Sequence, residues 1–191
     1  MSRQQSLEPL VADALRGSQA AFGELYRLLA PAVLGYLRAQ GTDEPEDLCS
    51  EVFIGVFRNL KTFSGGGVQF RSWVFSVAHH RIVDDRRRRA RRPADVALDD
   101  STIARPLPAE ADAGADAATA AAARMGTARV VEICSMLAPD QRDVLLLRLV
   151  CDLTVDQVAE LLEKSPGAVK ALQRRALGSV ARNFSDQAVP L

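Results

Sequence analysis

The side chains best placed for chemistry in this 191-residue chain are cations spaced along a helix, not a catalytic set. Between Leu153 and Phe184, Thr154 and Gln157 form a capping box that opens a short helix with Val155, Val158, Ala159 and Leu162 on one face. Ser165 and Pro166 restart the helical pattern after three or four residues. The serine can cap free N–H groups, and proline at the first helical position gives up no hydrogen bond. In this second helix Val169, Leu172, Ala176 and Val180 share one side. Gly167, Lys170, Ala171 and Arg174 share the other, with Arg175 beside them. Small residues followed by cations suit a helix that enters a DNA major groove, where its charged groups meet base edges and phosphates. An ordinary helical hairpin with a solvated basic face carries the same pattern.

Other chemistry is less well supported. Asp47 and Glu51 stand one turn apart, opposite an apolar stripe of Cys49, Val52, Phe53, Val56, Phe57 and Leu60. An acid pair can form a catalytic dyad, but no histidine, cysteine or metal ligand lies at a matching spacing. Solvated acids near the positive N-terminus of a helix starting at Pro45 are the simpler reading. Lys61–Gln69, KTFSGGGVQ, reads as a loop because three successive glycines cannot hold a helix. Phe70, Trp73, Val74, Val77 and Ala78 then resume helical spacing and lead into the arginine run from Arg86 to Arg92. Aromatic side chains and a glycine loop beside such a run suit unstacked bases and phosphates. Core-packed Phe and Trp with a solvated basic tail is the alternative. His79 and His80 are the only histidines and read as surface or partly buried groups. Cys49, Cys134 and Cys151 form no ligand cluster and read as buried thiols of a reducing compartment. No metal, cofactor or catalytic residue is expected.

The elements that must position these groups are helical along nearly the whole chain, without strand signals. Leu7, Leu10 and Val11 predict a short helix ended by Gly17; Ser18 caps a second, with Phe22, Leu25, Tyr26 and Leu29 at helical spacing. Pro31 predicts a break or kink, after which Val33, Leu34 and Leu37 continue to Gly41. Residues 93–126, with PLPAEADAGADAATAAAA at their centre, have few large apolar side chains and read as a linker. The expected fold class is therefore all-α: two small helical domains, residues 5–92 and 127–186, joined by a flexible acidic linker. Hydrophobic residues make up 48% of the chain, enough for two cores. Charge is balanced at 24 basic and 24 acidic residues but unevenly spread. Residues 1–92 carry 14 Lys/Arg and 10 Asp/Glu, whereas residues 93–127 carry 2 and 6. A basic domain thus precedes an acidic connector, the distribution expected of a nucleic-acid binder. No apolar run reaches bilayer length and the N-terminus lacks a signal-peptide core, so a soluble cytoplasmic protein is expected, without membrane insertion.

Together these motifs resemble a bacterial RNA polymerase sigma factor of the extracytoplasmic-function (ECF) group, sigma-70 family group IV, built from region 2 and region 4. Asp47-Leu48-Cys49-Ser50-Glu51 occupies the place of the family's D-L-x-Q-E, which implies core polymerase binding, to the β′ clamp helices, by Asp47, Leu48, Ser50 and Glu51. Ser50 replaces the usual glutamine. FRSWVFSVAHHRIVDDRRRR is similar to the family's −10 recognition helix, with His80 where asparagine is common. The resemblance implies −10 element contacts from Phe63, Ser64, Gln69, Phe70, Arg71, Trp73, His79, His80, Asp84, Arg87 and Arg88. Residues 137–177 resemble region 4, implying −35 contacts from Ser165, Gly167, Ala168, Lys170, Ala171, Arg174 and Arg175. Implied partners are core RNA polymerase, through its β′ clamp helices and β flap, promoter DNA, and an anti-sigma factor. The acidic linker would thread a basic polymerase channel and, in the free chain, lie across Arg86–Arg92. A stand-alone helix-turn-helix repressor or activator is the alternative; it has no need of the Asp47/Glu51 face or of a base-capturing loop.

Overall fold

The computed structural model describes residues 7–91 and 129–187, which are helical almost throughout and contain no strand. The expectations placed on the 93–126 linker and on Arg92 lie outside the described residues. Helix α1 (Glu8–Leu15) has Pro9 and an acid in its first turn and stops before Gly17, whose φ of +93° suits glycine. In α2 (Gln19–Ala39) the Ser18 hydroxyl accepts from the Ala21 N–H at 3.2 Å, as its capping role requires. Of the break or kink expected at Pro31, the break is absent: the proline lies inside a continuous helix. It removes the donor for the Arg27 carbonyl, but both residues are exposed, so water can serve that oxygen. Leu25, Leu29, Val33, Tyr36 and Leu37 keep their buried stripe on the other side.

Helix α3 (Pro45–Asn59) starts on proline, carries Glu46 and Asp47 in its first turn, and buries Leu48, Cys49, Val52, Phe53 and Val56. The expected apolar stripe is shorter than its sequence pattern, because Phe57 is 55% exposed and Leu60 falls in a 3-10 turn (Leu60–Thr62). Helix α4 (Gly67–Arg91) begins inside the segment expected to be loop. Its glycines serve close packing there: a Cβ on Gly67 would stand 2.8 Å from the Glu8 nitrogen, and one on Gly66 would stand 2.4 Å from the Glu8 carboxylate. That carboxylate accepts from the Gly67 N–H, so the first turn of α1 caps α4. Helices α1–α4 enclose Leu25, Val33, Tyr36, Val52, Val74 and Phe75.

The second unit comprises α5 (129–135), α6 (Pro139–Leu149), α7 (Val155–Leu161) and α8 (Pro166–Gln187). Arg142 on α6 donates to the carbonyls of Cys134 (2.7 Å), Ser135 and Leu137, serving the free C-terminal acceptors of α5. Thr154 and Gln157 form the complete capping box, and the Ser165 hydroxyl accepts from the Ala168 N–H at 3.2 Å. Helix α7 closes with bonds from Lys164 N to Ala159 O (2.9 Å) and Glu163 N to Glu160 O (3.3 Å). Glu163 thereby takes φ +53°, a position that favours glycine. Val144, Leu145, Leu146 and Leu147 are all buried, because α6 packs on α7 and α8 and also touches α2. One apolar cluster consequently runs from α1 through α8.

Candidate functional site

Three surfaces carry the residues singled out from sequence. On α3, Asp47, Ser50 and Glu51 are exposed, and Glu51 stands 4.0 Å from the Arg81 guanidinium. The Ser50 hydroxyl turns back to donate to the Glu46 carbonyl (3.1 Å). Leu48 is less exposed than expected: at 7% exposure it packs in the core while lining the groove beside Asp47 and Glu51. Ile54 and Phe57, 50% and 55% exposed, continue the acidic face into an apolar groove with Phe22, Tyr26 and Phe53. Seven residues separate Ile54 from Asp47, two helical turns, so that spacing was the available signal for including it.

The second surface lies where the Phe63–Gln69 segment meets α4. The Phe63 and Trp73 rings stack at 5.0 Å and 25°, and Phe70 closes the group at 5.4 Å from Phe63. Phe70, however, is 1% exposed, so only the half-buried Phe63 and Trp73 can meet a base. The Gln69 side-chain oxygen accepts from Gly66 N–H (3.1 Å) and shapes the turn, while Ser64 and His80 are exposed. His79 is a second correction: it is buried at 8% and shares a 3.0 Å hydrogen bond with the Tyr36 hydroxyl. Burial, with lesser effects of His80 and Arg86, pushes its imidazole below the ordinary histidine pKa against an opposing pull from Asp143. A neutral ring beside a phenol whose own pKa burial raises well above the usual value is a core pair, not a DNA contact.

The arginine run divides by partner. Arg86 donates to Gln40 (2.6 Å), and Arg89 binds Asp43 (3.2 Å) and Asp85 (2.5 Å). Arg87 is exposed beside Asp84, itself exposed, at 3.8 Å. Arg88 lines a groove shared with Asp47 and Glu51. Arg71 is half-buried: its Nε donates to the Cys151 carbonyl (2.8 Å) and its guanidinium lies 5.3 Å from the Phe75 ring centre.

The third surface is α8. Gly167, Lys170, Arg174 and Arg175 are exposed opposite buried Val169, Leu172 and Ala176, with Ala168 and Ala171 half-buried between them and Ser165 held as the cap. Arg182, with Gln141, Gly178 and Ser179, extends the cationic groove of Arg174 and Arg175 by two turns. Its seven-residue spacing from Arg175 marks that extension in the sequence. The three cysteines are buried, and burial raises each thiol, Cys49 to about 11 with help from Glu46, so none is a reactive thiolate. Among the described residues no group of His, Cys, Asp and Glu could hold a metal, and no helix is long and apolar enough to cross a membrane.

An acidic-to-apolar docking face, an aromatic stack beside arginines, and a helix-turn-helix with a cationic second helix define an all-α DNA-binding protein of the transcription machinery. Family models agree: residues 25–92 match Sigma-70 region 2 and residues 127–179 match Sigma-70, region 4. The ECF RNA polymerase sigma factor ShbA of Streptomyces griseus is 29% identical over 175 residues, covering 88% of this chain and 90% of ShbA. BldN of Streptomyces coelicolor is 30% identical over 94% of this chain and 66% of its own length. SigD of Mycobacterium tuberculosis is 28% identical over 91% of this chain and 81% of its own length. The structure of CnrH in complex with the cytosolic domain of CnrY shares the fold at TM-score 0.66 and 22% identity, covering 94% of this chain and 97% of CnrH. The chain belongs to the ECF family of RNA polymerase sigma factors.

Proposed function

We propose that this chain binds core RNA polymerase through α3 and carries it to promoters read by two separate surfaces. The observation that carries the reading is the pairing of two unlike DNA-facing surfaces in one chain. Lys170, Arg174 and Arg175 project from the second helix of a helix-turn-helix, where duplex edges are read; Phe63 and Trp73 form a half-buried stack suited to an unstacked base. In the first unit, the −10 element is contacted by Phe63, Ser64, Gln69, Trp73, His80 and Arg87, with Phe70 and His79 supporting them from the core. In the second, residues 127–186 read the −35 element. Core polymerase docks on Asp47 and Glu51 at the rim and on Ile54 and Phe57 at an apolar centre. The chain acts by binding, without catalytic chemistry of its own, in the cytoplasm where core polymerase works. CnrH forms a complex with the cytosolic domain of CnrY, and a protein partner that restrains the present chain in the same way is part of this proposal.

Run-off transcription with core polymerase and a randomised promoter library tests the reading. Discrete transcripts from a shared pair of sequence elements are expected only when the chain is added. Binding to duplex DNA without any effect on polymerase would instead describe a stand-alone repressor or activator.

A further inference from the structure

One contact beside the aromatic stack comes from a helix outside the segment that matches region 2. That match begins at residue 25, whereas α1 spans Glu8–Leu15 and is fixed to the core by Leu7, Val11 and Ala14, all buried. Its first residue reaches the start of α4. The Glu8 carboxylate accepts from the Gly67 N–H, and the preceding N–H, that of Gly66, is held at 3.1 Å by the Gln69 side-chain oxygen. Two side chains thus fix two successive amides of the turn. The approach is close enough to require both glycines, since a Cβ on Gly66 would meet the Glu8 carboxylate at 2.4 Å and one on Gly67 would meet the Leu7 carbonyl carbon at 3.0 Å. Gly65 completes the turn at φ +145°, where a Cβ would stand 3.2 Å from the Phe63 ring. Immediately before it come the exposed Ser64 and the half-buried Phe63, which stacks on Trp73 at 5.0 Å.

We propose that Glu8 is a positioning residue for base capture: its carboxylate anchors the glycine turn so that Phe63, Ser64 and Gln69 meet the unpaired −10 strand in one fixed arrangement. The proposal rests on the promoter-binding function proposed above. Three successive glycines give this segment wide backbone freedom, and freedom left in a binding loop is an entropy cost subtracted from the affinity for its ligand. A charged acceptor on a packed helix removes that freedom in advance. Gly67 is itself buried, so its N–H carries a desolvation cost when no acceptor is near, and losing Glu8 shifts the turn toward solvent. Glu8 acts through Gly66 and Gly67, not on DNA.

The test uses core polymerase loaded with the full chain, on a promoter recovered from the randomised run-off library and carrying 2-aminopurine in its unpaired −10 strand. Glu8→Ala removes the acceptor, Glu8→Gln keeps an oxygen of the same reach, and Gly66→Ala displaces the carboxylate without deleting it. Glu8→Ala and Gly66→Ala should each weaken capture of the unpaired strand by about tenfold and change the 2-aminopurine fluorescence, whereas Glu8→Gln should stay within about twofold of the parent. The double variant should lose no more than either single one, because both substitutions act on one contact. Affinity for core polymerase and for a duplex carrying only the −35 element should match the parent, with the same helical circular dichroism. Parent-level strand capture by Glu8→Ala would overturn the proposal. So would losses that add in the double variant, or that extend equally to core polymerase and the −35 duplex, the mark of a helix cap that only stabilises the fold. Failure of the parent chain itself to support run-off would refute the function instead.

Discussion

Arg174 and Arg87 are both exposed arginines, yet their settings assign them different work. Arg174 projects from the face of α8 that a major groove would admit, so Arg174→Ala should cost about 1–3 kcal/mol at promoters and relax preference at one −35 position. Arg87 is exposed at the far end of α4 beside Asp84 and is proposed as a phosphate contact. Its removal should weaken all promoters alike and lower the salt dependence of binding. Competition assays on single-base promoter variants separate the two, and a uniform loss from Arg174→Ala would move it to the phosphate class. His79 supplies a different residue-scale prediction. Burial lowers its pKa, so folding favours the neutral ring. Its contribution is whole above the unfolded value of about 6.5 and is lost as pH falls through the lowered folded value. Thermal melts should show a stability loss beginning below about pH 6.5 that His79→Gln flattens. Identical pH profiles for parent and variant would remove His79 from the account.

At the scale of elements, local signals were legible and long-range ones were not. Ser18, the Thr154/Gln157 box and the Ser165-Pro166 start act within one helical turn, and each appears where its sequence placed it. Pro31 was misleading because its cost depends on whether the Arg27 carbonyl meets water, which only the packed α2 decides. The three glycines read as a loop; two of them make room for Glu8, 58 and 59 residues earlier in the chain. Phe70 and His79 share helical faces with exposed residues; Phe70 packs on Phe63 across the glycine turn, and His79 bonds Tyr36, 43 residues earlier in the chain. The cationic face of α8 was readable because Lys170, Arg174 and Arg175 are spaced along one helix opposite its apolar positions. The closure of α7 offers a test at this scale. Glu163 holds φ +53° at a position where glycine carries no Cβ penalty. Glu163→Gly should therefore raise stability by about 1 kcal/mol in thermal or urea unfolding. A loss of stability would mean that the Glu163 side chain contributes more than its backbone strain costs.

For the whole molecule, the charge distribution and the packing give one consistent picture of division of labour. The basic first unit spends part of its arginine run on its own fold, with Arg86 and Arg89 bound to Gln40, Asp43 and Asp85. Fewer cations than the sequence suggests are left for DNA. The polymerase contact proposed above is the exposed side of α3. Asp47 and Glu51 lie on that side while Val52 and Val56 are fully buried, so reversing both acids leaves the core untouched. The decisive measurement is the affinity of core RNA polymerase for the full chain carrying Asp47→Lys and Glu51→Lys, with circular dichroism recorded on the same sample. Binding should fall by at least about tenfold with the helical spectrum unchanged, because two cations now face a surface that receives acids. Undiminished binding by the folded variant would contradict the assignment of α3 as the polymerase contact.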